Sequence, residues 1–258
     1  MSPFDNKRSG RTSIKIVVVI ALCLFAFWIG MHSVLHIDLS EGPVIVNNSI
    51  KKILHKKEGP LLGKTFVVDA GHGGSDPGTI STFNQIYEAE LNMIIANQVK
   101  ESLEQLGGTV VMTRTDESTL ELATENSLSL RQRGEIILEV QPDMVISVHQ
   151  NYNKESSDIE GVQMLIRRPE FASMAEQFQE SFNSQLGYKL KYLRESYAVL
   201  GYGHQPGFIL ECGFLSNYED ELRLQTKVYQ AELVKILSEE IVKYFKQIND
   251  LSEENTNE

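Results

Sequence analysis

The sequence predicts an α/β protein with a twisted, largely parallel central sheet of about six strands, flanked by helices and preceded by one N-terminal transmembrane helix. Two observations lead to this prediction. First, short apolar runs without polar alternation, typical of strands buried on both faces, alternate with segments whose apolar residues recur at helical spacing. Second, an uncharged and almost purely apolar run extends from Ile16 to Met31.

The amino-terminal run has the features of a membrane anchor. Four Lys or Arg residues precede it, and residues 32–35 extend it to about the 20 residues that span a bilayer. Because the basic residues come first, the amino terminus is expected in the cytoplasm and the remainder outside. We therefore predict a cytoplasmic tail over 1–13, a transmembrane signal anchor over 14–35 and a linker over 36–62. A cleaved signal peptide is the alternative, although no small-x-small site follows the run.

Residues 63–248 are predicted to form one globular domain in which strands and helices alternate, and residues 249–258 a solvated acidic tail. Strands are expected near 65–70, 108–114, 143–149, 161–167, either 189–193 or 197–200, and 207–211. Helices are expected near 88–106, 127–139, 170–186 and 228–247.

Charge and cysteine content exclude some functions. The first 31 residues carry a balance of +3 out of a net charge of −11, so the remainder carries −14. Such an acidic domain is a poor candidate for nucleic-acid binding, which uses clustered Lys and Arg. With only Cys23 and Cys212, the exported domain can form no internal disulfide.

Polar side chains capable of catalysis follow three of the buried strands. His72 comes after the first predicted strand in a glycine-rich loop, His149 ends the third, and Glu211 ends the last. Glu88 begins a strongly periodic helix. Because the carboxyl ends of parallel strands meet at one edge of a sheet, we expect these four residues to converge. Two histidines and two glutamates are the composition of a catalytic zinc site with a carboxylate that moves protons.

Four motifs in this order resemble the zinc-dependent N-acetylmuramoyl-L-alanine amidases, a family of peptidoglycan hydrolases. They are DAGHGG with DPG at 69–78, a glutamate before a helix at 88, SVHQN at 147–151 and ECGFLSN at 211–217. The resemblance covers about residues 64 to 245. It implies that residues 63–248 are a zinc amidase catalytic domain, here in a single-domain, membrane-anchored member of the family.

The resemblance also implies the roles of the site residues. His72, Glu88 and His149 would ligate one Zn²⁺ per domain, and Glu211 would act as general base and acid. Glu90 rivals Glu88 as a ligand on position alone, because either could be a first-turn carboxylate favoured by the helix dipole. The family motif places the ligand at Glu88.

Three further residues have open interpretations. Asp69 could orient His72 by bonding its other ring nitrogen, or it could cap a loop. Asn151 is a candidate for hydrogen bonding to substrate, although turn formation explains it equally well. His204, in a glycine-containing loop before the last strand, is a second candidate for substrate contact.

By resemblance, the bond hydrolysed joins the lactyl group of N-acetylmuramic acid to L-alanine of the stem peptide. The expected partners are peptidoglycan and, through 14–35, the cell membrane, with a single-pass topology and an extracytoplasmic catalytic domain. Regulated members carry an inhibitory helix after the second histidine. Only 152–160 separates Asn151 from the next predicted strand, so we expect no such helix and activity without an activator protein.

Anchor, single domain and absence of a wall-binding module together resemble members that act on spore cortex. Two other functions stay open: a zinc peptidase that cuts within the stem peptide, and a catalytically inactive wall-binding protein. The presence of all four expected site residues argues against the inactive protein.

Overall fold

A six-stranded sheet forms the centre of the fold. The computed structural model describes residues 58–115 and 126–256. Within these residues the strands are β1 (Thr65–Ala70), β2 (Thr109–Met112), β3 (Met144–Asn151), β4 (Gln163–Ile166), β5 (Leu193–Arg194) and β6 (Gly207–Phe214). Their order across the sheet is β2-β1-β3-β6-β4-β5, and every pairing is parallel except that of β4 with β6. The predicted α/β class with a largely parallel sheet is confirmed.

Helices connect the strands. Among the described residues they are α1 (Glu88–Gln105), α2 (Asn126–Val140), α3 (Ala172–Leu186), α4 (Tyr218–Leu224) and α5 (Lys227–Thr256), with 3₁₀ turns at Pro169–Phe171 and Val199–Gly201. The short helix α4 was not predicted. The last helix does not end near 247 but continues to Thr256, so most of the predicted solvated tail is helical.

Alternate strand residues enter two separate apolar clusters, because successive side chains of a strand point to opposite faces. On β1, Phe66 and Val68 belong to the larger cluster, which includes residues of α1, α3 and α5. Val67 belongs to the smaller cluster, with Ile137 of α2 and Val199. Because both faces are covered by apolar side chains, the strands show no polar alternation in sequence.

Two further predictions are the membrane anchor before the domain and the lack of an inhibitory helix between β3 and β4. The predicted tail and anchor, and the linker up to residue 57, lie outside the described residues. No helix among the described residues combines the length and apolar character that a membrane span needs. Between β3 and β4, residues 152–162 form bends and irregular backbone, with no helix.

Candidate active site

The face of the sheet that carries Val67 becomes polar toward the carboxyl ends of the strands. Asp69 on β1 lies beside Ser147 on β3, and His149 on β3 lies beside Glu211 on β6. Residues two apart on a strand share a face, so the strand register alone brings these side chains together. The predicted convergence of His149 and Glu211 follows from this register.

The glycine-rich loop after β1 brings His72 to the same place. His72 has a φ of 61°, in the left-handed region that non-glycine residues seldom occupy. A Cβ atom on Gly71 would lie 2.2 Å from ring atoms of His149, so only glycine lets the loop pass against that ring. The Nδ1 atom of His72 lies 2.8 Å from an oxygen of Asp76, whose other oxygen accepts a hydrogen bond from the backbone N–H of Gly78. Asp76 thus fixes the orientation of the His72 ring.

Glu88, the first residue of α1, lies between the two histidines. Its Oε1 is 3.0 Å from Nδ1 of His149 and 3.2 Å from Nε2 of His72. Its Oε2 accepts a hydrogen bond from the backbone N–H of Thr79. One ligand atom from each of His72, Glu88 and His149 lies within 4.8 Å of the others, so this group could hold a metal ion. The structure therefore brings together the three residues predicted as ligands.

The donor set fits zinc. Two imidazole nitrogens and one carboxylate oxygen are ligands of catalytic zinc sites, which keep a position open for substrate or water. Glu211, beside His149 in the sheet, is 7% exposed, and its Oε2 has no hydrogen-bond partner among the described residues. A buried carboxylate oxygen without a partner is expected where a reacting group or ion completes the site.

Charges within the site shift several pKa values. Burial lowers the pKa of His72, but the contacts with Glu88 and Asp76 outweigh burial and raise it to about 9. Burial favours the neutral form of Glu88, yet the two imidazoles hold its pKa far below the ordinary value. Burial raises the pKa of Glu211 to about 7, with His149 opposing and Glu88 adding to the rise.

Asp69 does not contact the His72 ring, and the prediction that it orients His72 is wrong. Its carboxylate accepts hydrogen bonds from the Ser147 hydroxyl at 2.5 Å and from the Arg133 guanidinium. The two ring nitrogens of His72 contact Asp76 and Glu88. Asp76, four residues after His72, takes that role instead.

Two buried arginines that were not predicted bind the backbone around the loop that carries His72. Arg133 of α2 donates hydrogen bonds to the carbonyl oxygens of Ala70 and His72. Arg114, after β2, donates to the carbonyl oxygens of Ala70 and Ala89. Apart from the contact between Arg133 and Asp69, the partners named here are backbone carbonyls, which leave no signal in the sequence. Asp76 carried a weak signal, since an acidic residue four positions after a histidine in a tight loop can reach its ring.

The two predicted substrate contacts differ in position. Asn151 ends β3 near His149, but its amide donates to Gln163 at 3.1 Å and its oxygen accepts a backbone N–H. The structure thus shows a structural role for Asn151, and its contact with substrate stays a prediction. His204 is exposed and precedes β6, which runs from Gly207 toward Glu211. It is not among the residues that line the cavity beside the two histidines, and its contact with substrate stays a prediction.

A cavity of about 180 Å³ opens beside the histidines. It is lined by Asp69, Gly71, His72, Asp76, Leu130, Arg133, His149 and Val199. A larger groove of about 670 Å³ between α1 and α5 contains none of the site residues. Size alone would favour the groove, but the smaller cavity holds the groups that can do chemistry.

Fold and site together define a class of protein: an α/β domain in which two histidines and a glutamate could hold a metal ion beside a second, buried glutamate. The family of N-acetylmuramoyl-L-alanine amidases matches residues 66–243 of the chain. The chain belongs to this family.

Relatives with known names agree with this assignment. N-acetylmuramoyl-L-alanine amidase LytC of Bacillus subtilis is 26% identical over 199 residues, which are 76% of this chain and 38% of LytC. Probable cell wall amidase LytH of Staphylococcus aureus is 30% identical over 192 residues, 74% of this chain and 61% of LytH. The chain thus spans less than two thirds of either protein. Among solved structures, the CwlD amidase of Clostridioides difficile, in complex with the GerS lipoprotein, is 28% identical with a TM-score of 0.66. The match covers 71% of this chain and 99% of the solved chain.

Proposed function

We propose that the protein is a zinc-dependent amidase that hydrolyses the bond between N-acetylmuramic acid and L-alanine in peptidoglycan. The observation that carries this proposal is the convergence of His72, Glu88 and His149, with Glu211 next to His149, inside the region matched by the family. The residue types support hydrolysis, and the family supports the choice of bond.

The chain's own residues have distinct tasks in this reaction. A zinc ion held by His72, Glu88 and His149 would supply a Lewis acid for the scissile carbonyl and for water. Glu211 accepts the proton of the attacking water and returns it to the departing amine, since an unprotonated amine is a poor leaving group. A carboxyl whose pKa is raised to about 7 can both accept and return a proton near neutral pH. Asp76 keeps the His72 ring in place.

Digestion of purified peptidoglycan tests the proposal. The full-length chain with zinc should release stem peptides with free L-alanine amino termini and leave unsubstituted muramic acid, detected by mass spectrometry. Glu211→Gln should bind zinc normally but lose at least about a thousandfold in turnover, because the proton acceptor is gone. Glu90→Gln is the matched control, since Glu90 is exposed and contacts no ligand atom, and should retain activity.

Other products would assign another function. New amino termini inside the stem peptide, with the muramic acid bond intact, would identify a zinc peptidase. Zinc binding without any product would identify an inactive wall-binding protein. Near-native turnover by Glu211→Gln would remove Glu211 from the mechanism.

We also propose that residues 14–35 anchor the protein in the cell membrane with the catalytic domain outside, and that it acts on spore cortex. The apolar run and its basic flank support the anchor. An anchor joined to an amidase domain resembles the layout of family members that act on spore cortex, and this likeness supports the cortex. Protease treatment of intact protoplasts should cleave the domain, and cortex muropeptides should change in spores that lack the protein.

CwlD was solved in complex with GerS. For this chain we expect activity without a partner, so the digestion contains none.

A further inference from the structure

Four exposed aromatic side chains lie in the segments that follow β1, β3 and β6. In the part of the chain that the structure describes they are Phe83, Tyr87, Tyr152 and Tyr218, each between 38% and 49% exposed. Scattered exposed apolar residues are normal, but clustering of this kind marks an interaction surface.

Three of these residues form what we call the aromatic platform: Phe83, Tyr152 and Tyr218. The rings of Phe83 and Tyr218 lie edge to face with centroids 5.1 Å apart. The hydroxyl of Tyr152 is 3.3 Å from that of Thr82, the residue before Phe83. Contacts between the three segments therefore hold the rings near one another.

The platform is fixed by a buried charge. Glu221 of α4 is fully buried, and its two carboxylate oxygens accept the backbone N–H groups of Phe83 at 3.0 Å and Asn84 at 2.7 Å. Burying a carboxylate is costly unless hydrogen bonds compensate. Here both of its oxygens hold the backbone that presents an exposed phenylalanine, so Phe83 has a defined position.

The platform is continuous with the catalytic edge of the sheet. Tyr152 directly follows β3, and the segment with Phe83 leads into Glu88. The backbone N–H of Leu215, which follows β6, donates to the carbonyl of Asn151. Each platform segment is thus joined along the chain to a strand or helix that carries a site residue, so we expect a polymer bound at the site to extend to the platform.

We infer that the aromatic platform binds a sugar ring of the glycan strand next to the muramic acid whose amide is cut. This inference rests on the proposed function. The face of an aromatic ring is apolar with a partial negative charge, and a pyranose ring presents polarised C–H groups to it. The stem peptide is less suitable, because its carboxylates would lie beside Glu219, which is exposed next to Tyr218. The glycan strand carries no charge at a muramic acid whose lactyl carboxyl group is joined to the stem peptide by an amide bond, so Glu219 does not repel it.

Kinetics on two substrates test the inference. With the full-length chain, Phe83→Ala and Tyr218→Ala should each raise KM on glycan chains of several disaccharides about fivefold to tenfold, with kcat unchanged, because one stacking surface is lost. On a soluble monomer, N-acetylmuramoyl-peptide, both variants should equal the unsubstituted protein. Phe83→Tyr keeps a ring and should behave like the parent on both substrates.

Leu251→Ala is the control for loss of an exposed apolar side chain. Leu251 is 60% exposed near the end of α5, beyond Phe245, which packs against Phe66 near the start of β1. Leu251 therefore lies toward the edge where β1 starts, opposite the edge where the strands carry the site residues. This variant should keep the KM of the parent on glycan chains.

Three results would overturn the inference. An unchanged KM on glycan chains for both alanine variants would mean that the platform serves another ligand, such as a protein partner. An equal loss on monomer and polymer would mean that the substitutions disturb the site. If the unsubstituted protein cleaves neither substrate, the proposed function fails. The platform is then tested by co-sedimentation of the protein with insoluble peptidoglycan. Equal binding by the parent and by Phe83→Ala overturns the inference.

Discussion

At the scale of the residue, zinc binding at the site depends on whether the His72 ring carries a proton. Its ring contacts Glu88 through Nε2 and Asp76 through Nδ1, and these carboxylates raise its pKa to about 9. In metal-free protein the ring is therefore protonated at pH 7. A nitrogen that carries a proton cannot ligate a metal, so zinc and the proton compete for His72.

We predict that zinc affinity rises with pH up to about 9. Below the raised pKa, binding must displace the proton, so each pH unit between about 7 and 9 should increase affinity by up to about tenfold. Zinc titration calorimetry in buffers of different ionisation enthalpy should show release of about one proton from His72 at pH 7. Asp76→Asn removes one of the two carboxylates that raise the pKa.

The variant provides the check. For Asp76→Asn the rise in affinity should level off at a lower pH than for the parent. A flat affinity between pH 7 and 9, with no proton released, would contradict protonation of His72 in the metal-free site.

At the scale of the element, helix α2 supports the loop that carries His72. Its Arg133 is buried and bonded to the carboxylate of Asp69 and to the carbonyls of Ala70 and His72. Burial disfavours a charged Asp69, yet Arg133 and the hydrogen bonds of neighbouring hydroxyls lower its pKa. The stabilisation is therefore present at neutral pH and is lost as the pH falls through the lowered pKa.

We predict that Arg133→Lys lowers the free energy of unfolding at pH 7 by about 2 to 3 kcal/mol, because an ammonium cannot replace a planar fork that bonds three acceptors. Arg131→Lys is the matched control on the same helix. The Arg131 side chain is 72% exposed and pairs only with Glu135 in the described structure, so it should change stability by less than about 0.5 kcal/mol. Urea unfolding at pH 7 measures both. Equal stability of the two variants would show that the buried network contributes nothing.

Elements with a strong burial pattern could be predicted from sequence, and elements without one could not. The apolar runs of β1, β3 and β6 defined the centre of the sheet and the edge where His149 and Glu211 lie. β5 is only Leu193–Arg194, both exposed, so the alternatives 189–193 and 197–200 could not be separated; the second became a 3₁₀ turn. The sequence of α4 is short and acidic, and its start depends on the Asn217 side chain, which accepts the N–H of Asp220.

The same distinction holds for the site. His149 and Glu211 lie near the ends of β3 and β6, His72 follows β1, and Glu88 begins α1. These positions together with the family motif predicted them. The buried arginine of α2 acts on backbone carbonyls that only the folded chain brings near it. Every residue has a backbone carbonyl oxygen, so the sequence could not show which of them would accept a hydrogen bond from this arginine.

At the scale of the whole molecule, the three proposed ligands come from separate parts of the fold. His72 lies in the loop after β1, Glu88 begins α1, and His149 is near the end of β3. An ion bound by all three would connect a loop, the start of a helix and the central sheet through residues 16 and 61 positions apart along the chain. Because these contacts exist only in the folded chain, binding must stabilise folding by mass action.

We predict that removing zinc with a chelator lowers the thermal stability of the full-length chain. With free zinc about a hundredfold above its Kd, the stabilisation is about 2.7 kcal/mol, equivalent to roughly 5 to 10 °C in Tm for a domain of this size. His149→Ala should abolish the difference between zinc and chelator, whereas Glu211→Gln, which keeps all three ligands, should preserve it. A Tm that is the same with and without chelator would show that no metal joins these three parts of the fold, and would leave the hydrolytic mechanism without its central ion.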